Sequence, residues 1–184
     1  MYQIPLNNTM GVNIVNIVTS STLGQPIDLN KLCRSLDVFD YDPEGYHGGY
    51  LHLSQYTATI YRSGKYIVPG VRSFDDIPII HKELIETLDG VLDVHLIRPP
   101  IIKNIVASEQ LVDAPDLNRL CMDLFNFGLS PDYEPESFPG LILKLDEGTI
   151  NLFASGKYIL LGTTSQDEVK TLNGHFLSII KDLI

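Results

Sequence analysis

The sequence predicts an α+β fold built twice over, as two consecutive halves that each run strand, helix, several short antiparallel strands and a long helix. Three observations carry this: the chain repeats itself, a hairpin turn recurs at matched places, and the apolar period changes from two in the strands to three or four in the helices.

The repetition is read directly. Asn16-Ile17-Val18-Thr19-Ser20 returns as Asn104-Ile105-Val106-Ala107-Ser108, and Asp28-Leu29-Asn30-Lys31-Leu32-Cys33 returns as Asp116-Leu117-Asn118-Arg119-Leu120-Cys121 at the same displacement. A short insertion around Phe127 to Pro131 lengthens the displacement. Tyr41-Asp42-Pro43-Glu44 then returns as Tyr133-Glu134-Pro135-Glu136, and Ser63-Gly64-Lys65-Tyr66-Ile67 as Ser155-Gly156-Lys157-Tyr158-Ile159. Solenoids need at least three short units to bury a shared core. Two long copies instead imply a duplicated domain with approximate twofold symmetry, its halves at 1–98 (core 12–90) and 99–184.

The elements follow in chain order. A first strand covers roughly Val12 to Ser20, and Asp28 caps a helix with Leu29, Leu32, Cys33 and Leu36 on one stripe. Strands near Tyr50–Leu53, Thr57–Arg62 and Tyr66–Val68 come next, with Ser63-Gly64-Lys65 as the turn between the last two. Ser73 to Asp76 opens a helix carrying Ile77, Ile80, Leu84 and Leu88, where Pro78 is tolerable because it falls in the first turn. In the second copy, Ser165-Gln166-Asp167-Glu168 is a capping-box pattern before Val169, Leu172, Phe176, Ile179 and Leu183. Cys33 and Cys121, in matched helices and in no metal-ligand or redox spacing, read as reduced core thiols.

Successive strand residues face opposite sides. Ile17, Ile60, Ile105 and Leu152 form the set expected under the helices. The opposite set is Asn16, Val18, Thr59, Tyr61, Ile67 and Pro69 in the first copy, and Asn104, Val106, Asn151, Phe153, Ile159 and Leu161 in the second. The helices are too few to cover both sides, yet this second set carries no charge. Such a face is either a binding surface or a second buried layer, covered by another sheet or another copy.

Composition narrows the classes. The chain has 184 residues, 44% hydrophobic and 20% charged, which supports a packed core. No apolar run approaches the ~18 residues of a membrane span, and Met1-Tyr2-Gln3-Ile4-Pro5 does not begin a secretory signal, so an intracellular, cytoplasmic protein is expected. His47, His52, His81, His95 and His175 make no zinc-protease spacing, and neither a nucleophile elbow nor a phosphate loop occurs. An enzyme, a metal site and a cofactor are therefore not expected. A formal charge of −10 also argues against indiscriminate binding to phosphate backbones, unless the few bases cluster on one face.

The Asn-Ile-Val-x-Ser strands, the run Tyr133-Glu134-Pro135-Glu136-Ser137-Phe138-Pro139-Gly140-Leu141, the run Phe153-Ala154-Ser155-Gly156-Lys157 and their doubling together resemble the TATA-binding protein family, archaeal type, from about Val12 to Ile184. The second copy matches well and the first is divergent. The resemblance implies a saddle: two pseudo-symmetric repeats forming one curved, ten-stranded antiparallel sheet with helices on the convex face. It also implies a transcription initiation factor that binds A·T-rich promoter DNA in the minor groove and bends it with apolar wedges, this family being a standard case of that mode.

Matched by position, the resemblance assigns the wedges to Phe138 and Phe153 in the second copy and to Tyr46 and Tyr61 in the first. Asn16 and Asn104 become the amides that reach minor-groove acceptors, and Val18 and Val106 touch the groove floor. The phosphate positions hold His52, Lys65 and Arg72 in the first copy and Lys144, Lys157 and Thr164 in the second, so two of six lack a permanent cation. Glu134 and Glu136 become the contacts for transcription factor B. The implied state is a nucleoid-associated monomer on DNA, with a homodimer conceivable without it.

Departures stand beside these matches. A threonine that the family commonly places before the glycine of the strand following Ser-Gly-Lys is replaced by Pro69 and Leu161, and Tyr46-His47-Gly48-Gly49 stands where Phe-Pro-Gly-Leu is expected. Pro69 removes a ladder donor and is awkward in a central strand. The competing reading is a divergent paralogue that uses the same scaffold to bind protein, with little or no DNA binding.

Overall fold

A computed structural model describes residues 12–183. The described residues pack as two compact units, one of 16–104 and one of 105–183 together with 12–15. The family of elements is α+β, as expected, and each of the strand pairings that follow is antiparallel.

The first half runs β1 (Asn13–Thr22), α1 (Leu29–Ser35), β2 (Phe39–Asp40), β3 (Gly48–His52), β4 (Thr57–Tyr61), β5 (Lys65–Val71) and α2 (Asp76–Leu88). Its strands lie in the order β2-β3-β4-β5-β1. After a turn of 3₁₀ helix at Val94–Leu96 the second half repeats the plan with β6 (Ile101–Gln110), α3 (Leu117–Asn126), β7 (Gly140–Leu145), β8 (Gly148–Phe153), β9 (Lys157–Thr163) and α4 (Gln166–Leu183). Here the order is β6-β9-β8-β7. The counterpart of β2 is reduced to a single bridge, Asp132 with Ile142, so among the described residues the named strands number nine rather than the family's ten.

Local chemistry explains the helix starts. Asp28 accepts from the Lys31 N–H, and Asp116 accepts from both Asn118 and Arg119, filling donors that the first turn leaves open. Ser165 Oγ accepts from the Glu168 N–H at 3.2 Å, but the Glu168 carboxylate reaches past Ser165 to the Thr164 N–H at 2.8 Å. The capping box therefore closes one residue further out than the sequence suggests. In α2 the helix begins at Asp76, and Ser73 Oγ accepts from Asp75 before it.

Each half buries one sheet face under its helices. Ile17, Ile60, Leu84 and Leu88 in the first, and Ile105, Leu152, Leu172 and Phe176 in the second, are sealed from solvent. Cys33 and Cys121 fall short of the core. They lie half-buried at the flank of their helices because Leu32 and Leu120 take the inward positions. Matched tyrosines close both cores: burial pushes the Tyr66 hydroxyl up to about 12, while burial and then Glu109 raise that of Tyr158, which also donates to Asn173.

A bulge corrects the strand phase in both halves. Ile17 pairs with Val71 and Thr19 with Val68, so Pro69 and Gly70 together stand opposite Val18. Likewise Leu161 and Gly162 stand opposite Val106, between the pairs Ile105–Thr163 and Ala107–Leu160. The extra residue lets Val68 and Val71, three apart, both face the core. It also removes the objection to Pro69, which occupies a bulge where the ladder needs no donor. Gly70 and Gly162 take φ of +79° and +91°, in the left-handed region that favours glycine.

Candidate nucleic-acid interface

The face opposite the helices is half-covered at most. Asn16, Val18, Thr59, Tyr61 and Ile67 in the first half, and Asn104, Val106, Asn151, Phe153, Ile159 and Leu161 in the second, are all of intermediate exposure, and Pro69 is exposed. Neither set carries a charge.

Asn16 is fixed by the bulge. The Gly70 N–H donates to Asn16 Oδ1 at 2.8 Å, so the carbonyl end of the amide is occupied and the NH₂ end is the one left to present. An amide held this way is a donor by construction. Asn104 is half-buried at the matched place in β6, and Val18 and Val106 face the two bulges.

The structure brings the aromatic pairs together in each half. Phe138 and Phe153 meet edge to face with centroids 5.8 Å apart and planes at 64°. Tyr46 and Tyr61 adopt nearly the same arrangement, 6.4 Å and 60°. Both pairs stand over a glycine that begins a strand. Gly140 pairs with Phe153 and Gly48 with Tyr61, and a methyl group at either would lie within about 3 Å of both rings. The loop before Phe138 is a turn in which the Ser137 and Phe138 N–H groups donate to the Glu134 carbonyl, which leaves the Glu134 and Glu136 side chains in solvent.

A tyrosine hydroxyl on an apolar face needs a hydrogen-bond partner, and Tyr46 and Tyr61 supply one another, at 3.0 Å. That bond, followed by burial, pushes the Tyr61 hydroxyl up to about 12. Two further rings join this end: Tyr50 stacks on Tyr46 at 5.9 Å and His47 on Tyr61 at 5.4 Å. In the sequence His47 and both glycines are read only as parts of a motif, and neither these rings nor the glycines are given a role, although the glycine that recurs two residues after Tyr46 and Phe138 is a legible signal.

The cations divide cleanly. Lys65 and Lys157 open β5 and β9 after their turns, Arg72 follows β5, and Lys144 lies in β7. All four side chains are exposed, and none enters a salt bridge among the described residues. The two weak positions are committed elsewhere. His52 Nε2 lies 2.8 Å from Asp40 Oδ2, and Thr164 gives its N–H and hydroxyl to Glu168.

Two halves, each of antiparallel strands and each combining a sheet face with an uncharged centre, an aromatic pair on glycine and exposed cations, define a duplicated α+β binding scaffold. The family model for "Transcription factor TFIID (or TATA-binding protein, TBP)" matches residues 11–91 and again 99–183. A TATA-box-binding protein of Sulfolobus acidocaldarius is 39% identical, over 86% of this chain and 81% of its own. TATA-box-binding protein C of Halobacterium salinarum is 33% identical over 95% of this chain and the whole of its own. The solved structure of Methanococcus jannaschii TBP superposes with a TM-score of 0.79 at 31% identity, covering 93% of this chain and 98% of that one. The chain belongs to the TATA-binding protein family, a family of transcription factors and not of enzymes.

Proposed function

We propose that the chain is a general transcription initiation factor that binds A·T-rich promoter DNA in the minor groove, bends it and recruits transcription factor B. The observation that carries this reading is the locked amide of Asn16. With its oxygen taken by Gly70 it offers only donors, and A·T pairs show only acceptors, adenine N3 and thymine O2, in the minor groove. A guanine amino group would meet a donor with a donor.

The remaining residues take roles by position. Asn104 is the second amide, and Val18 and Val106 rest on the groove floor. Phe138 with Phe153, and Tyr46 with Tyr61, push between base steps, while Lys65, Arg72, Lys144 and Lys157 meet phosphates. Glu134 and Glu136 are free in the turn beside Phe138 to receive a basic surface of transcription factor B.

Gel-shift titration on an A·T-rich duplex, with and without transcription factor B, tests the reading. Wild type is expected to bind and bend the duplex and to bind more tightly with the partner. Phe138→Ala or Phe153→Ala is expected to weaken binding severely and to reduce bending. The protein-binding paralogue is favoured by the charge of −10 and by the loss of His52 to Asp40. It prevails if neither wild type nor any aromatic variant shifts the duplex.

A further inference from the structure

The open face of the second half contains a polar group that the fold itself does not explain. Asn151 lies in β8, paired with Ile142 on one side and Ile159 on the other, both half-buried on the same face. Its Oδ1 is sealed from solvent and has no hydrogen-bond partner among the described residues. The Nδ2 end of the same amide has no hydrogen bond among the described residues and is not one of their sealed orphan atoms, which leaves it the end that can meet a partner at the open face.

Burying an acceptor without a partner is unfavourable, and an apolar residue between two isoleucines would avoid it. The other orphan among the described residues has an ordinary explanation. Thr163 Oγ1 lies in the core beside Ile105, where Thr163 fills the space that its isostere Val71 fills in the first half. Asn151 has no such excuse, because its counterpart is Thr59 and the site opens outward. Local rules broken without structural gain are the mark of a functional position.

We propose that Asn151 is a specificity-determining residue of the second half, its amide NH₂ donating to an adenine N3 or thymine O2 acceptor in the minor groove. This rests on the minor-groove reading above. Apart from Asn104 in β6 and Lys144 and Asp132 toward the sheet edge, that half's open face is formed by Val106, Ile142, Phe153, Ile159 and Leu161, and Asn151 lies between two of these, Ile142 and Ile159. A donor in dry surroundings discriminates between a matching acceptor and the guanine amino group more sharply than one in water. The first half presents a shorter hydroxyl at Thr59, so the two halves read their base pairs differently.

The test uses the full chain and one A·T-rich duplex that wild type binds. Each adenine in turn is replaced by 3-deazaadenine, which lacks N3, and each thymine by 2-thiothymine, whose sulfur is a poor acceptor. Wild type is expected to lose about fivefold in affinity at one or two adjacent positions, the size of a single net hydrogen bond. Asn151→Leu should show no loss at those positions while keeping its losses elsewhere, and its melting temperature should not fall. Asn151→Thr serves as the repeat-matched control and should behave like the leucine variant there. Identical analogue profiles for wild type and Asn151→Leu overturn the proposal while leaving DNA binding intact. Failure of wild type to bind the unmodified duplex removes the minor-groove reading and this proposal together.

Discussion

At the scale of single residues, the two tyrosines that replace phenylalanines show how a substitution is absorbed. A phenol pushed alone into an apolar setting suffers desolvation, but Tyr46 and Tyr61 satisfy one another at 3.0 Å. The neutral form of Tyr61 is thereby favoured in the folded state, with its hydroxyl pushed up from 10.0 to about 12. The stability this contributes is complete below pH 10 and is lost as pH rises from there through 12. Tyr46→Phe should bring the Tyr61 titration, followed by phenolate absorbance or NMR, back toward 10. An unmoved midpoint would mean the hydroxyl bond does not form in solution. In DNA binding, each single Tyr→Phe change strands one hydroxyl, whereas the Tyr46→Phe/Tyr61→Phe double variant strands none. The double variant should therefore bind at least as well as wild type. If it abolishes binding, the hydroxyls themselves touch DNA and the wedge reading fails for the first half.

At the scale of elements, the bulges in β5 and β9 decide which residues reach the open face. Both are invisible in a period-of-two reading, which sends Val68 and Val71 to opposite sides. What the sequence does show is local: the Asp28 and Asp116 caps, the Ser-Gly-Lys turns, and the helical stripes through Leu88 and Phe176 each depend on neighbours a few residues away. The Gly70–Asn16 bond and the Glu168 hold on Thr164 depend on through-space partners or on one extra residue in a strand, and neither leaves a pattern in the chain. The same applies to the half-buried cysteines, since a stripe of 3.6 period does not say which of Leu32 and Cys33 points further inward. The bulge itself can be checked by chemical denaturation. Pro69→Thr should change stability by less than about 1 kcal/mol, because no ladder bond is there to restore. Gly70→Ala should cost about 1–2 kcal/mol through its positive φ, although a methyl there meets open space. A large gain from Pro69→Thr would place that residue in the regular ladder.

At the scale of the molecule, a net charge of −10 and DNA binding are reconciled only by where the charges sit. On the open faces the described acids stand at the edges, Asp40 opposite Tyr50 and bonded to His52, and Asp132 opposite Ile142, while the exposed cations at matched positions are Lys65, Arg72, Lys144 and Lys157. If those four neutralise one phosphate each, log affinity should fall against log salt with a slope of about −3.6. Titrations at several salt concentrations check this: a slope near zero supports protein binding alone, and one twice as steep requires cations that lie outside the matched positions.

The nearly equal geometry of the two aromatic pairs, 60° and 64° between planes, hides unequal chemistry at their rims. One pair has only carbon at its rim and the other carries two hydroxyls. If both act as the wedges proposed above, they favour different base steps: the phenylalanine pair gains most where stacking is weakest, as at a TA step, since it has no hydroxyl to offset lost stacking. The tyrosine pair tolerates stiffer steps that offer an acceptor. Two copies of one plan would then give a duplex a preferred heading, written in four side chains.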